Sequence, residues 1–178
     1  MSRLFTKKIP VNLLLTSLII LPLSIAHSAM ADLDQQIVIQ AKRQASDLKN
    51  KIASYLDDVV ITQGSLSIRA DVVQVISQAN SDNKIYIARG KPAIFKQLLD
   101  DGQPINLKAN EIKYEPATHT ITISGNASVS QEGSLVSGNK IIYNILTEQL
   151  TAESNTDDTV TTILQPQNKL KNNQQENN

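Results

Sequence analysis

The chain repeats itself, and the repeat restricts it to a stacked array. Four segments share an aliphatic residue, a polar one, then Ala or Gly: Ile39-Gln40-Ala41, Ile68-Arg69-Ala70, Leu107-Lys108-Ala109 and Val136-Ser137-Gly138. The last three continue with Asp or Asn and an aliphatic residue two positions later (Asp71-Val72-Val73, Asn110-Glu111-Ile112, Asn139-Lys140-Ile141). The starts 39 and 107, and the starts 68 and 136, are each 68 residues apart. At that same offset Gln35 to Ala41 matches Gln103 to Ala109, and Tyr55 to Gln63 falls on Ile123 to Gln131. A fixed period in this range marks supersecondary units stacked on one another.

Within each unit the local pattern is that of strands. From Val59 to Val75, Val59, Ile61, Leu66, Ile68 and Val73 are apolar, while Thr62, Gln63, Ser67, Arg69 and Gln74 are polar. Such alternation predicts strands with one dry and one wet face, turning at Gln63-Gly64-Ser65. Turn residues recur at Asp57-Asp58, Asn80 to Asn83, Gly90-Lys91-Pro92, Asp100-Asp101-Gly102, Gly125-Asn126, Gly133 and Gly138-Asn139. They separate candidate strands at 36–41, 51–56, 59–63, 66–76, 84–89, 93–99, 105–114, 119–124, 127–131, 134–145, 148–153 and 158–164. The stretch 41–51 lacks a 3.6-residue apolar period and reads as strand or loop. The expectation is an all-β array of short antiparallel strands.

The ends read differently from the middle. Arg3, Lys7 and Lys8 precede an apolar run from Val11 to Ile25, and Ala29-Met30-Ala31 fits a small-x-small cleavage site. Residues 1–31 are therefore read as a secretory signal, 32–166 as the β domain and 167–178 as a solvated polar tail. Removing the signal takes three basic residues and no acidic ones, leaving 14 − 17 = −3. No basic stripe suggests a nucleic-acid partner. No cysteine is present, so no disulfide or thiolate chemistry is available.

Catalytic constellations are lacking. His119 is the one histidine beyond the signal, too few for a metal cluster or a Ser-His-Asp arrangement. The acid pairs Asp57-Asp58, Asp100-Asp101 and Asp157-Asp158 could serve as general acid and base in a hydrolase. All three fall at predicted turns, where Asp bonds its own backbone. The chain is read as non-enzymatic and without a cofactor or metal.

What remains is a continuous aliphatic face with two free ends. One parity collects Ile37, Ile39, Val59, Ile61, Leu66, Ile68, Ile85, Ile87, Phe95, Leu107, Ile121, Ile123 and Val129. Such a face forms a core. With only one large aromatic among these residues, it also suits a groove for an acyl chain, since removing about a dozen methylenes from water is worth roughly 10 kcal/mol. Thr62, Ser67 and Arg69 face outward. The first strand (Ile37, Val38, Ile39) and the last (Val160, Thr162, Ile163) carry neither proline nor dense charge. Such edges can pair with another chain, head to tail.

These residues then match a family. Asp34 to Ile39, Val60 to Asp71, Gly90-Lys91-Pro92-Ala93-Ile94-Phe95 and Ser124-Gly125-Asn126-Ala127 resemble the LptA/OstA-type periplasmic proteins of lipopolysaccharide transport, in the same order and over roughly residues 33–168. The resemblance implies an open, twisted antiparallel β-jelly roll that stacks head to tail. It implies a bridge from an inner-membrane transporter, through an LptC-like component, to an LptD-like outer-membrane translocon. Lipid A would pass along the apolar interior, with Ile37, Ile39 and Phe95 facing the lipid. One departure is Asp57, where the family often has Gly, as Gly125 is here; it bears on the tightness of the first turn. The alternative is a soluble monomeric periplasmic lipid carrier or adaptor.

Overall fold

The computed structural model describes residues 29–78 and 81–166. The expected signal up to residue 28 and the polar tail 167–178 lie outside the described residues. The expected cleavage point after Ala31 falls in a short helix, α1 (Ala29–Leu33). Then come β1 (Val38–Gln40), β2 (Arg43–Asp47), β3 (Ile52–Gln63), β4 (Leu66–Ser77), β5 (Lys84–Leu98), β6 (Pro104–Glu115), β7 (Thr120–Gln131), β8 (Ser134–Asn144), β9 (Gln149–Glu153) and β10 (Thr161–Ile163). Every pairing is antiparallel. The order is β1-β3-β4-β5-β6-β7-β8-β10, with β2 also on β3 and β9 also on β8. The sheet does not close: β1 and β2 form one edge, β9 and β10 the other. This is an all-β, open antiparallel jelly roll.

Each long strand turns a corner near its middle. Pairing breaks between Leu56 and Val59, Arg69 and Val72, Arg89 and Ala93, Lys108 and Glu111, and Ser124 and Ala127. Bulges of this kind bend a strand and add twist. Aligned from strand to strand, they fold the sheet into two layers. The first layer holds the turns β3–β4, β5–β6 and β7–β8; the second holds β4–β5, β6–β7 and β8–β9. In β3 and β7 the corner is two residues with positive φ, Asp57 and Asp58 (64° and 50°) and Gly125 and Asn126 (75° and 52°). Gly, Asn and Asp are the residues that tolerate this conformation. In β5 it is Gly90 to Pro92, with a cis Lys91-Pro92 peptide.

The corners correct the sequence reading in two ways. First, predicted breaks at 57–58, 90–92 and 125–126 are bends inside single strands. Second, the inward parity changes there. In β4 it passes from Leu66 and Ile68 to Val73 and Val75; in β5, from Tyr86 and Ala88 to Ala93, Phe95 and Gln97; in β6, from Leu107 and Ala109 to Ile112 and Tyr114. Ile85 and Ile87, placed inside by a single parity, therefore lie on the outer face, half-exposed. In β3 and β7 the two-residue bulge preserves parity, so Val59, Ile61, Ile121, Ile123 and Val129 are buried as expected.

The 68-residue repeat reappears in the pairing register. Ile39 pairs with Ile61 and Leu107 with Val129; Arg43 pairs with Leu56 and Glu111 with Ser124. So β1 and β2 together match β6, split where β6 bends. The segment 41–51, whose pattern admits strand or loop, contains β2. At the other edge β9 and β10 together match β5, split by a longer connection. Val136 pairs with Thr162, one residue off the repeat of Ile68 with Phe95. Val160 lies just before β10.

Candidate functional site

The two layers enclose an apolar interior. From the first come Val59, Ile61, Leu66, Ile68, Phe95, Leu107 and Val129; from the second, Ile112, Ile121, Ile123 and Ile141. Ile37 and Ile39 are half-buried and pack on its rim. Of the residues expected to line an acyl-chain path, all but Ile85 and Ile87 are thus brought to this interior. Most are shut off from solvent, Ile61, Leu66, Ile68, Phe95, Leu107, Ile121 and Ile123 at 0%. Each such side chain is worth about 1.5–3 kcal/mol to the fold. The layers meet through their side chains, and a chain-like ligand enters only by displacing these contacts or by parting the layers.

Tyrosines, which the single-parity reading left out, fill the second layer. Tyr86 and Tyr114 are cross-strand partners with ring centroids 5.8 Å apart. Tyr143 meets Phe95 across the interior, edge to face at 6.4 Å. Tyr114 Oη donates to Gln63 Oε1 at 2.6 Å, joining second layer to first. Burial pushes all three phenols up in pKa. A parity reset at the corners of β5, β6 and β8, but not at those of β3 and β7, places these residues inward.

Both ends of the interior open into cavities. Near the β1–β2 edge, about 350 Å³ is bounded by Ser46, Ile52, Ala53, Tyr55, Val75 and Lys84, among others. Toward the β9–β10 edge, about 330 Å³ is bounded by Ile105, Val129, Val136, Tyr143 and Leu150, with Gln131, Glu132, Ser134 and Glu148 at the polar side. Beside the first edge, the segment after α1 lies over the β3–β4 turn. Asp32, 4% exposed, accepts from Ser65 N at 2.6 Å and from the Ser65 hydroxyl. Gln63 Nε2 donates to Leu33 O at 2.9 Å and Gln35 O at 3.1 Å.

The edge residues are accessible. Val38 is 48% exposed, Val160 41% and Ile163 51%. Thr162 is exposed and shares a face with Val136, which packs on the core.

Among the described residues, two of the three acid pairs have side-chain partners. Asp57 accepts from Arg43 Nε at 2.5 Å and Asp58 pairs with Lys42, tying β3 to the β1–β2 connection at the corner. This is a correction, since Asp57-Asp58 sits inside a strand and not at a turn. Asp101 Oδ1 accepts from Gln103 N at 2.9 Å, and Asp158 N donates to Asn155 O at 3.1 Å. His119 ends the 3-10 turn Pro116–Thr118 with φ 53° and leads into β7.

This geometry has known counterparts. A family model described as "LptA/(LptD N-terminal domain) LPS transport protein" matches residues 38–149. The chain is 34% identical over 162 residues to the lipopolysaccharide export system protein LptA of Escherichia coli (strain K12), covering 90% of this chain and 88% of that protein. It is 34% identical over 157 residues to the protein of the same name from Haemophilus influenzae, covering 87% and 91%. Among solved structures it superposes on LptH of Pseudomonas aeruginosa, described as the LptA-homologous periplasmic component of the lipopolysaccharide transport device. The TM-score is 0.69 at 27% identity, over 76% of this chain and 99% of that one.

Proposed function

From the chain's membership of the LptA/(LptD N-terminal domain) family of lipopolysaccharide transport proteins, we propose that it is a non-enzymatic periplasmic bridge. It carries lipopolysaccharide from the inner to the outer membrane, holding lipid A acyl chains between its two layers. Residues 1–31 direct it to the periplasm and are removed, leaving 32–166 as the working domain.

The observation that carries this reading is the relation between the two edges. Inside the molecule, β5 of the first repeat pairs with β6 of the second. The free edge β9–β10 is a split β5, and the free edge β1–β2 is a split β6. Head-to-tail addition of a second copy therefore repeats the internal junction, β10 meeting β1 and β9 meeting β2. Heterologous contacts of this kind continue without closing, and strand addition supplies backbone hydrogen bonds. The apolar interior then runs from copy to copy through the cavities at the ends. The family description itself joins LptA to the LptD N-terminal domain. An LptD-like translocon and an LptC-like transporter component are accordingly the partners for the two terminal edges.

Purification from envelope extracts tests this. Lipopolysaccharide should co-purify, and scattering mass should rise with protein concentration. A constant monomer mass with bound lipid would indicate the soluble carrier; absence of lipopolysaccharide would refute transport.

A further inference from the structure

A polar row crosses the interior of the first layer. Gln63, Gln97 and Gln131 lie 34 residues apart (97 − 63 and 131 − 97), each near the end of its strand. Gln97 pairs with Ile105 and Ile105 with Gln131, so these side chains share a face. In the second layer Tyr86 pairs with Tyr114, Tyr114 with Ile121, and Ile121 with Tyr143. The hydrogen bond from Tyr114 to Gln63 shows the two rows facing each other.

Gln63 is fully engaged; Gln97 is not. It is 1% exposed, and among the described residues neither its Oε1 nor its Nε2 has a hydrogen-bond partner. The same holds for the hydroxyl of Tyr143. Burying polar groups unpaired is costly, and native interiors rarely retain them without a reason. Tyr143 and Gln131 border the 330 Å³ cavity, as does Ile105, the strand partner of Gln97.

We propose that Gln97 and Tyr143 form a subsite for the neutral linkage of an acylated lipid, the amide or ester carbonyl that joins an acyl chain to its sugar. Gln97 offers both an acceptor and an N–H donor, the complement of an amide. The Tyr143 phenol, kept protonated by burial and by nearby Glu148 and Asp100, donates to a carbonyl. Ile105, Val129, Val136 and Leu150 receive the adjoining methylenes. Glu132 and Glu148 at the cavity border oppose a phosphate or carboxylate, so the subsite selects the linkage and not a charged headgroup. The inference rests on the lipid-carrying reading and assigns a polar register to it.

The test uses purified protein and two neutral probes of matched chain length: N-dodecanoyl glucosamine, with an amide, and dodecyl glucoside, with a glycosidic oxygen and no carbonyl. Wild type should prefer the amide by about tenfold or more, as expected for one or two hydrogen bonds. Gln97→Leu and Tyr143→Phe should each reduce the preference while leaving dodecyl glucoside binding unchanged or tighter. In wild type the ¹⁵N resonance of the Gln97 side-chain amide should shift with the amide probe alone. An equal affinity for the two probes, an unshifted Gln97 resonance, or a preference surviving Gln97→Leu would overturn the subsite. Lipopolysaccharide binding, measured in parallel, separates the readings: if it persists in those cases, transport stands; if wild type binds neither probe nor lipopolysaccharide, both fail.

Discussion

Asp32 is a carboxylate held 4% exposed at the edge of an apolar interior. Such a group is tolerated when fully hydrogen-bonded, and Ser65 supplies both donors while its hydroxyl also accepts from Leu98 N at 3.1 Å. Gly64 makes the approach possible: a Cβ there would stand 2.0 Å from Asp32 Oδ1, at φ +58°. Asp32→Ala should cost about 1–3 kcal/mol in urea unfolding, and Gly64→Ala should also destabilise by displacing Asp32. A second prediction comes from the tyrosines. Burial raises Tyr114, Tyr143 and Tyr86 above the ordinary 10.0. Above pH 10 the unfolded chain releases phenolic protons that the folded chain keeps, so stability falls there, by up to roughly 1.4 kcal/mol per pH unit for each of Tyr114 and Tyr143. Stability should depend little on these groups below pH 9. Tyr143→Phe should flatten the alkaline slope in pH-dependent urea titrations.

At the scale of the strand, the corner decides which side chains face inward. The alternation from Val59 to Ile68 was legible in the sequence because no corner interrupts an odd count there. Ile87 was misplaced because Gly90 to Pro92 shifts β5 by one residue. Tyr86, Ile112 and Tyr143 were missed for the same reason: the pattern carries a period but no mark of where it resets. Ile112→Ala should therefore cost about 2–5 kcal/mol, whereas Ile87→Ala should cost well under half as much. Equal losses on thermal or urea unfolding would contradict the inverted parity. The departure at Asp57 is also explained at this scale. Its left-handed backbone (64°) matches that of Gly125 (75°), and Arg43 stands where the second repeat has Glu111. Asp57→Gly should leave the melting temperature unchanged or raise it, while Asp57→Val, branched at Cβ, should lower it.

For the whole molecule the 68-residue period was the strongest signal in the sequence, and the pairing register repeats it where β1 and β2 match β6, while β9 and β10 depart from it at the other edge. The spacing already separates 148–153 from 158–164, as β9 and β10 are separate, but that both pair with β8 was not legible, because it depends on how the terminal connections pack. That pairing gives the free ends the pattern of an internal junction, on which the proposed stacked conduit rests. Val38→Lys and Ile163→Lys, at positions 48% and 51% exposed, should leave the monomer folded yet stop its growth in light scattering. The central claim is that lipopolysaccharide travels between the layers. A photo-crosslinking residue placed in cells at Phe95, at Ile87 or at Arg69 tests it most directly. Capture of lipopolysaccharide at Phe95 with little at Ile87 and Arg69 is the predicted result. Equal capture at all three, or capture at Ile87 in place of Phe95, would contradict it.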